Sequence, residues 1–248
     1  MILVYQFDGL LYRIRLDDRN GNSFKLSTKR EYLWYLQKMN AIKLPFQFDE
    51  EKLLAAYKSI AEDNYHEIHN NYVTPHKLLS THLISIENPE LGNHEFVPNQ
   101  LLNNLPYLLE VYTTFECSKE TFRVHRLLSD AFIKEHRDIA LNYEEGMLRI
   151  HIPIVTSPEI SMKVNGENIV MLPGEAWYLD FDLPHEVTNT SGEERVHLII
   201  DCVANLWWDE LMKPHGKSRG RQGNRMTDSE QEAMEKQLES MGLKLPEE

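Results

Sequence analysis

From residue 122 onward, apolar and polar residues alternate with a period of two, and turn-forming residues interrupt the pattern at short intervals. Strands are predicted near 122–128, 132–137, 147–155, 159–164, 168–171, 176–180, 185–189 and 194–203. Asn165-Gly166 is a tight two-residue hairpin signal, and Pro173-Gly174 and Ser191-Gly192 mark further turns. Upstream the pattern changes. Ile42, Leu44, Phe46 and Phe48 alternate up to Asp49, which predicts a strand and then a helix capped by Asp49, with Leu53, Leu54, Tyr57 and Ile60 on its buried face. Pro89, Gly92 and Pro98 put a loop over 87–100, and Leu101 to Val111 returns to helix. Before residue 40, Val4–Phe7 and Tyr12–Leu16 flank Asp8-Gly9 as a hairpin, Asn20-Gly21 marks a turn, and Ser27 or Thr28 caps a helix through Met39. After Trp208, the run Lys213 to Arg225 is basic and Gly-rich and reads as flexible, and Thr227 or Asp228 caps a last helix through Ser240. About eight short strands with regular turns predict a mainly β (α+β) class. The expected core is a double-stranded β-helix of jelly-roll or cupin-like form, with supporting helices on its N-terminal side. Residues 1–40 form a small appendage to a domain over 41–208, and 209–248 a charged flexible segment with a terminal helix.

A chain of 248 residues is long enough to bury a substantial core. Its formal net charge of -13 argues against nucleic acid as the main partner, because phosphate binding relies on Lys and Arg. Two cysteines, Cys117 and Cys202, make neither a disulfide framework nor a Cys-based metal motif, which fits a cytoplasmic location. The N-terminus lacks the basic and long apolar regions of a signal peptide, and no stretch approaches the roughly 18 apolar residues of a membrane span, so no membrane association is expected.

The chemistry concentrates in the strand-rich part. On a strand, residues i and i+2 point to one face, so His136 and Asp138 converge while Arg137 turns away. His185, after Pro184, opens a later strand. Two histidines and one carboxylate make the ligand set of non-heme Fe(II) oxygenases, with open positions opposite. Arg195 shares a strand face with His197 and Asp201, while Val196, Leu198, Ile200 and Cys202 occupy the other. Arg149 and His151 likewise oppose Ile150, Ile152 and Ile154. Two strands that each offer Arg-x-His on the polar face suit anionic ligands, because a guanidinium holds a carboxylate through two parallel hydrogen bonds. Arg123, His125 and Arg126 are further candidates to reach the cavity, Arg126 as a substrate contact. His66 and His69 have the i, i+3 spacing of helical metal ligands but no third ligand nearby, and read as structural or surface groups. Trp177 reads as core, and Asp180 and Asp182 as residues of the loop before His185.

The segment from about Ile42 to Trp208 resembles the aspartyl/asparaginyl β-hydroxylase family of Fe(II)- and 2-oxoglutarate-dependent dioxygenases. It is most similar to the small bacterial branch that includes proline hydroxylases. The matching pieces are LPFQFD, HRD, LRIHIPIVTSP, VNGENIVMLPGEAWYLDFDLPHEVTN and RVHLIID, in that order. The resemblance implies that His136, Asp138 and His185 bind Fe(2+). It further implies that Arg195 holds the distal carboxylate of 2-oxoglutarate, that His151 meets its other carboxylate, and that Arg149 grips a substrate carboxylate. One branch of the family carries Gly in place of the carboxylate ligand; Asp138 places this chain with the full-triad members. The implied reaction consumes O2 and 2-oxoglutarate, hydroxylates an unactivated C–H of an amino acid, free or in a peptide, and releases succinate and CO2. Two other readings remain open at this point: a cupin-like metalloenzyme that uses no 2-oxoglutarate, and a non-catalytic binding module on the same barrel. Arg195, ten positions after His185, discriminates against the first, and the complete residue set against the second.

Overall fold

In the computed structural model, residues 2–7, 10–15, 40–87 and 95–219 are described. The chain divides into two compact units, Met1–Met39 and Asn40–Glu248. In the first, β1 (Ile2–Phe7) pairs antiparallel with β2 (Leu10–Arg15), and Phe7 faces Leu10. The expected Asn20-Gly21 turn, the helix through Met39 and the helix from Thr227 lie outside the described residues.

The second unit is built from two antiparallel sheets. The larger has seven strands. Their order is β3 (Ala41–Gln47), β13 (Glu175–Leu179), β10 (Met147–Val155), β15 (Arg195–Val203), β8 (Lys119–Leu127), β5 (Leu78–His82) and β4 (His66–Glu67). The smaller runs β12 (Glu167–Asn168), β11 (Ile160–Val164), β14 (His185–Asn189) and β9 (Ala131–His136). Leu78, Leu127 and Leu179 of the larger sheet share one apolar cluster with Met162, Val164 and Val187 of the smaller. The architecture is thus a mainly β, double-stranded β-helix with helices alongside. A short pair, β6 (Ile84–Ile86) with β7 (Phe96–Pro98), stands apart.

The larger sheet has two faces of different chemistry, and this alternation positions the site. Phe122, Val124, Ile150, Ile152, Leu198 and Ile200 are fully buried on one face. The helical residues Leu53, Leu108 and Trp208 are buried as completely. They lie on α1 (Glu50–Lys58), α3 (Pro106–Thr114) and α4 (Leu206–Met212), with α2 (Gln100–Asn103) preceding α3. The opposite face carries Arg123, His125, Arg149, His151 and Arg195, which line a cavity between the sheets.

Local chemistry explains most element boundaries. The Asp49 carboxylate accepts the Lys52 amide at 3.0 Å and caps α1 as expected. Asn165 and Gly166 both have positive φ, 51° and 76°, the conformation of the tight hairpin turn between β11 and β12. At Gly174 a Cβ would come within 2.2 Å of the Phe48 carbonyl oxygen, so only glycine fits. The helix expected from Leu101 to Val111 is two helices. Pro106 disfavours helical backbone at Leu105, which adopts φ -118° and ψ 76°, and a new helix starts at the proline. Three more expectations are corrected. The strand near 168–171 stops at Asn168. Phe96–Pro98 is strand rather than loop, because it pairs with β6. The run expected to be flexible from Lys213 is ordered in its described part: Lys213–His215 forms a 3-10 turn, and the buried Lys217 ammonium donates to Glu144 at 2.7 Å; its remainder lies outside the described residues.

Beside that Lys217–Glu144 pair lies Asp180. Burial, reinforced by Glu144 and opposed by Lys217 and by the hydrogen bond from the Asp182 amide, pushes its carboxyl up to about 6. A raised carboxyl pKa means that the fold binds more protons than the unfolded chain between the ordinary value of 3.8 and about 6, so stability falls as pH rises through that window. Asp180→Asn is therefore expected to stabilise the protein by about 2 kcal/mol at pH 8 and by nothing at pH 4. Urea unfolding at the two pH values measures it; a gain independent of pH would contradict it.

Candidate metal centre and active site

His136, Asp138 and His185 come together at one end of the smaller sheet, with ligand atoms all within 4.8 Å of one another. His136 is the last residue of β9 and His185 the first of β14, and the two sit opposite each other in the antiparallel register. Asp138 lies just past the strand. Its backbone amide donates to the Phe181 carbonyl at 2.9 Å, and its Oδ1 faces His136 Nε2 at 3.8 Å. Backbone carbonyls set both imidazoles. His136 Nδ1 is 2.8 Å from the Lys134 oxygen and His185 Nδ1 is 3.0 Å from the Leu183 oxygen. A carbonyl only accepts, so both Nδ1 atoms carry the proton and both Nε2 lone pairs are left for a metal. Burial, with the charge of His136 adding to it, pushes the His185 pKa down to about 4, against the pull of Leu183 and Asp138. Tyr72 stacks on His136 at 4.0 Å between ring centroids, and Phe181 meets His185 edge-on at 4.4 Å.

The triad opens into a cavity of about 590 Å³, within the ordinary range for small-molecule sites. Arg195 lines its floor and is 3% exposed. Its Nη2 reaches His197 Nδ1 at 3.0 Å and His151 Nδ1 at 3.5 Å, and its Nε has no partner. Among the described residues no carboxylate pairs with it. Burial alone lowers its pKa to about 9. His151 is buried with Nε2 unpartnered; burial, then His197 and Arg195, push its pKa well below the ordinary value and keep it neutral. Arg123 also lines the cavity. Its Nε is buried without a partner, and Nη2 stands 3.9 Å from Asp201 Oδ2. Burial and the neighbouring Arg149 lower its pKa to about 10.

The family model described as aspartyl/asparaginyl beta-hydroxylase matches residues 62–205, which include the triad, Arg123, Arg149, His151 and Arg195. The chain belongs to the aspartyl/asparaginyl β-hydroxylase family. It is 33% identical over 115 residues to an L-proline cis-4-hydroxylase of Rhizobium meliloti (strain 1021), covering 46% of this chain and 41% of that protein. It is 30% identical over 117 residues to L-proline cis-3-hydroxylase 2 of Streptomyces sp, covering 46% and 40%. The match thus spans about two fifths of the length of these curated relatives. Among solved structures, HygX from Streptomyces hygroscopicus, with nickel and 2-oxoglutarate bound, is similar at 8% identity and a TM-score of 0.45, over 73% of this chain and 89% of that one.

Within this member of the aspartyl/asparaginyl β-hydroxylase family, the residues singled out by sequence do not all meet. His136, Asp138, His185, Arg149, His151 and Arg195 line one cavity, and Arg123 and His125 join them. Arg126 does not. Strand alternation puts it on the face of Phe122 and Val124, where its Nε donates to Glu194 at 2.9 Å and its Nη1 to Glu62 at 2.7 Å, with the guanidinium over Tyr65. Arg149 has partners of its own. Nε and Nη2 fork onto Asp201 at 2.6 and 2.9 Å, and Nη1 donates to Asp138 Oδ2 at 2.6 Å. His66 and His69 are not helical: His66 stacks on His82, and His69 pairs with Glu67 at 3.0 Å. Trp177 packs against the apolar cluster and donates to Glu175 at 2.9 Å. Arg137 points outward and pairs with Asp182 at 3.2 Å.

Arg126→Ala is expected to lower stability by about 1 kcal/mol, since it takes one partner from the part-buried Glu194 while Glu62 is exposed to water, and to leave metal affinity unchanged. Urea unfolding and a metal titration on the same sample check both halves; a loss of metal binding would return Arg126 to the site.

Proposed function

We propose that the protein is an Fe(II)/2-oxoglutarate-dependent oxygenase that hydroxylates a small amino acid, with residues 41–208 as the catalytic domain. The observation that carries this reading is Arg195. A buried guanidinium without a counter-ion costs several kcal/mol, and an anion entering the cavity offsets that cost. A metal site with open positions and a cationic floor fits a ligand that is anionic at both ends, as 2-oxoglutarate is.

The donor set, two imidazoles and one carboxylate, suits iron(II). When bound, iron(II) with 2-oxoglutarate and O2 supplies the oxidising power to hydroxylate an unactivated C–H bond, with succinate and CO2 as co-products. The protein does the rest. Arg195 holds the far carboxylate of the cosubstrate by a forked pair, and the neutral His151 meets its keto-acid end. Phe181 stacks on His151 at 5.1 Å and touches His185, so it sets the inner wall and keeps water from the ligands. Arg123, whose Nε is free, offers the substrate carboxylate a partner that Arg149 does not. Proline is the first candidate, because both curated relatives act on it. No described helix is long and apolar enough to cross a membrane, and the free cysteines suit a reducing cytoplasm.

Anaerobically purified protein supplied with iron(II), 2-oxoglutarate and air is expected to form succinate faster when L-proline or another member of an amino-acid panel is present. Arg195→Ala is expected to lower that rate at least about 100-fold, through loss of cosubstrate binding. No succinate and no 2-oxoglutarate binding would overturn the reading.

A further inference from the structure

Asp138 is the ligand with the least local support. Both histidines belong to paired strands, whereas Asp138 lies beyond the end of β9 beside Ile139, which is 87% exposed. Its Oδ1 faces His136, and its Oδ2 accepts from Arg149 Nη1 at 2.6 Å. Arg149 is in turn fixed from behind. It stands directly opposite Asp201 in the β10–β15 register and forks onto that carboxylate through Nε and Nη2. Its guanidinium lies over the Phe181 ring at 5.2 Å, and Phe181 is the residue whose carbonyl holds the Asp138 amide. Asp201 is 6% exposed, sits on the long central strand, and receives a second cation, Arg123, at 3.9 Å. Burial works against its ionisation, but the hydrogen bonds and charge of Arg149 prevail and hold its carboxyl below the usual range. The charges balance: two carboxylates against two guanidiniums.

We infer that Asp201 is a positioning residue that acts through Arg149 to hold Asp138 as a one-oxygen metal ligand. Asp201 orients the fork, the fork occupies Oδ2, and Oδ1 is left facing His136 Nε2 in the triad. Arg149 is then part of the metal centre's support rather than the residue that grips substrate. The inference rests on the metal-site reading above. An arginine is required because only a planar fork serves two carboxylates at fixed angles; a lysine carries the charge without the geometry.

The test is a cobalt(II) titration of the metal-free, full-length protein under nitrogen, read by binding isotherm and by the cobalt ligand-field absorption. It includes wild type, Asp201→Asn, Arg149→Gln, Arg149→Lys, the Asp201→Asn/Arg149→Gln double variant, and His185→Ala. Asp201→Asn is expected to weaken cobalt binding about 10- to 100-fold and to alter the absorption band, although it touches no ligand. The double variant is expected to match Arg149→Gln within about 2-fold, since both substitutions break one chain of contacts. Arg149→Lys is expected to fall between wild type and Arg149→Gln. Wild-type affinity and spectrum in Asp201→Asn, or losses that multiply in the double variant, would overturn the inference and leave the metal site standing. Should Asp201→Asn fail to fold by circular dichroism, Arg149→Lys decides alone: wild-type cobalt affinity there overturns it. A wild-type protein that takes up no cobalt, or a His185→Ala variant that binds it as well as wild type, would overturn the metal reading and this inference with it.

Discussion

A guanidinium buried with no carboxylate partner among the described residues is the constraint around which this site is arranged. Arg195 is 3% exposed, and its described neighbours are imidazoles that burial keeps neutral. Such a charge persists in a folded chain only when a ligand or the surrounding field compensates it. The fold holds it there by register. Arg195 faces Leu127 across the β8–β15 pair, and the opposite face of β15 packs Val196, Leu198 and Ile200 into the core. To flip the strand would drive its polar side chains into the apolar core and turn its aliphatic ones into the polar cavity, so hydrophobic packing on one face keeps the cation on the other.

The same alternation builds the remaining walls. β10 contributes Arg149 and His151, β8 contributes Arg123 and His125, and each of these strands buries its alternate residues as core. Positive charge therefore collects on one side of the cavity. The triad occupies the other, where the smaller sheet ends and backbone carbonyls fix both imidazole tautomers. Asp201 and Asp138 temper the positive side, so only part of its charge is available to an incoming anion. Arg149 is engaged by both; Arg195 and the Nε of Arg123 are not.

Much of this was legible in the sequence, because period-two alternation, turn residues and i, i+2 spacing act locally. Most strands from β8 to β15, the Asp49 cap and the Asn165-Gly166 turn follow from such patterns, whereas His136, Asp138 and His185 meet through the β9–β14 register and the loop after β9. Arg126 shows where the reading failed although the signal was present: alternation with Phe122 and Val124 already placed it on the core face. β5 shows a signal that was absent. Leu78–His82 has no clear alternation and becomes a strand by pairing with β8, a contact nearly fifty residues away in sequence. The partners of Arg149 were equally out of reach. Asp201 is opposite it only once β10 and β15 are in register, and Asp138 arrives through a loop. Sequence marks which residues face a cavity; which of them neutralise one another is decided by tertiary register.

On the proposed reading, the triad and Arg195 form one site for one ligand anionic at both ends. The most direct measurement is calorimetric titration of 2-oxoglutarate, with glutarate in parallel, into protein held without air, with and without iron(II). One 2-oxoglutarate per chain is expected, bound at least about 100-fold more tightly with the metal than without it, while glutarate, which lacks the keto group, stays weak in both. Equal binding with and without iron, or glutarate bound as well as 2-oxoglutarate, would contradict the account.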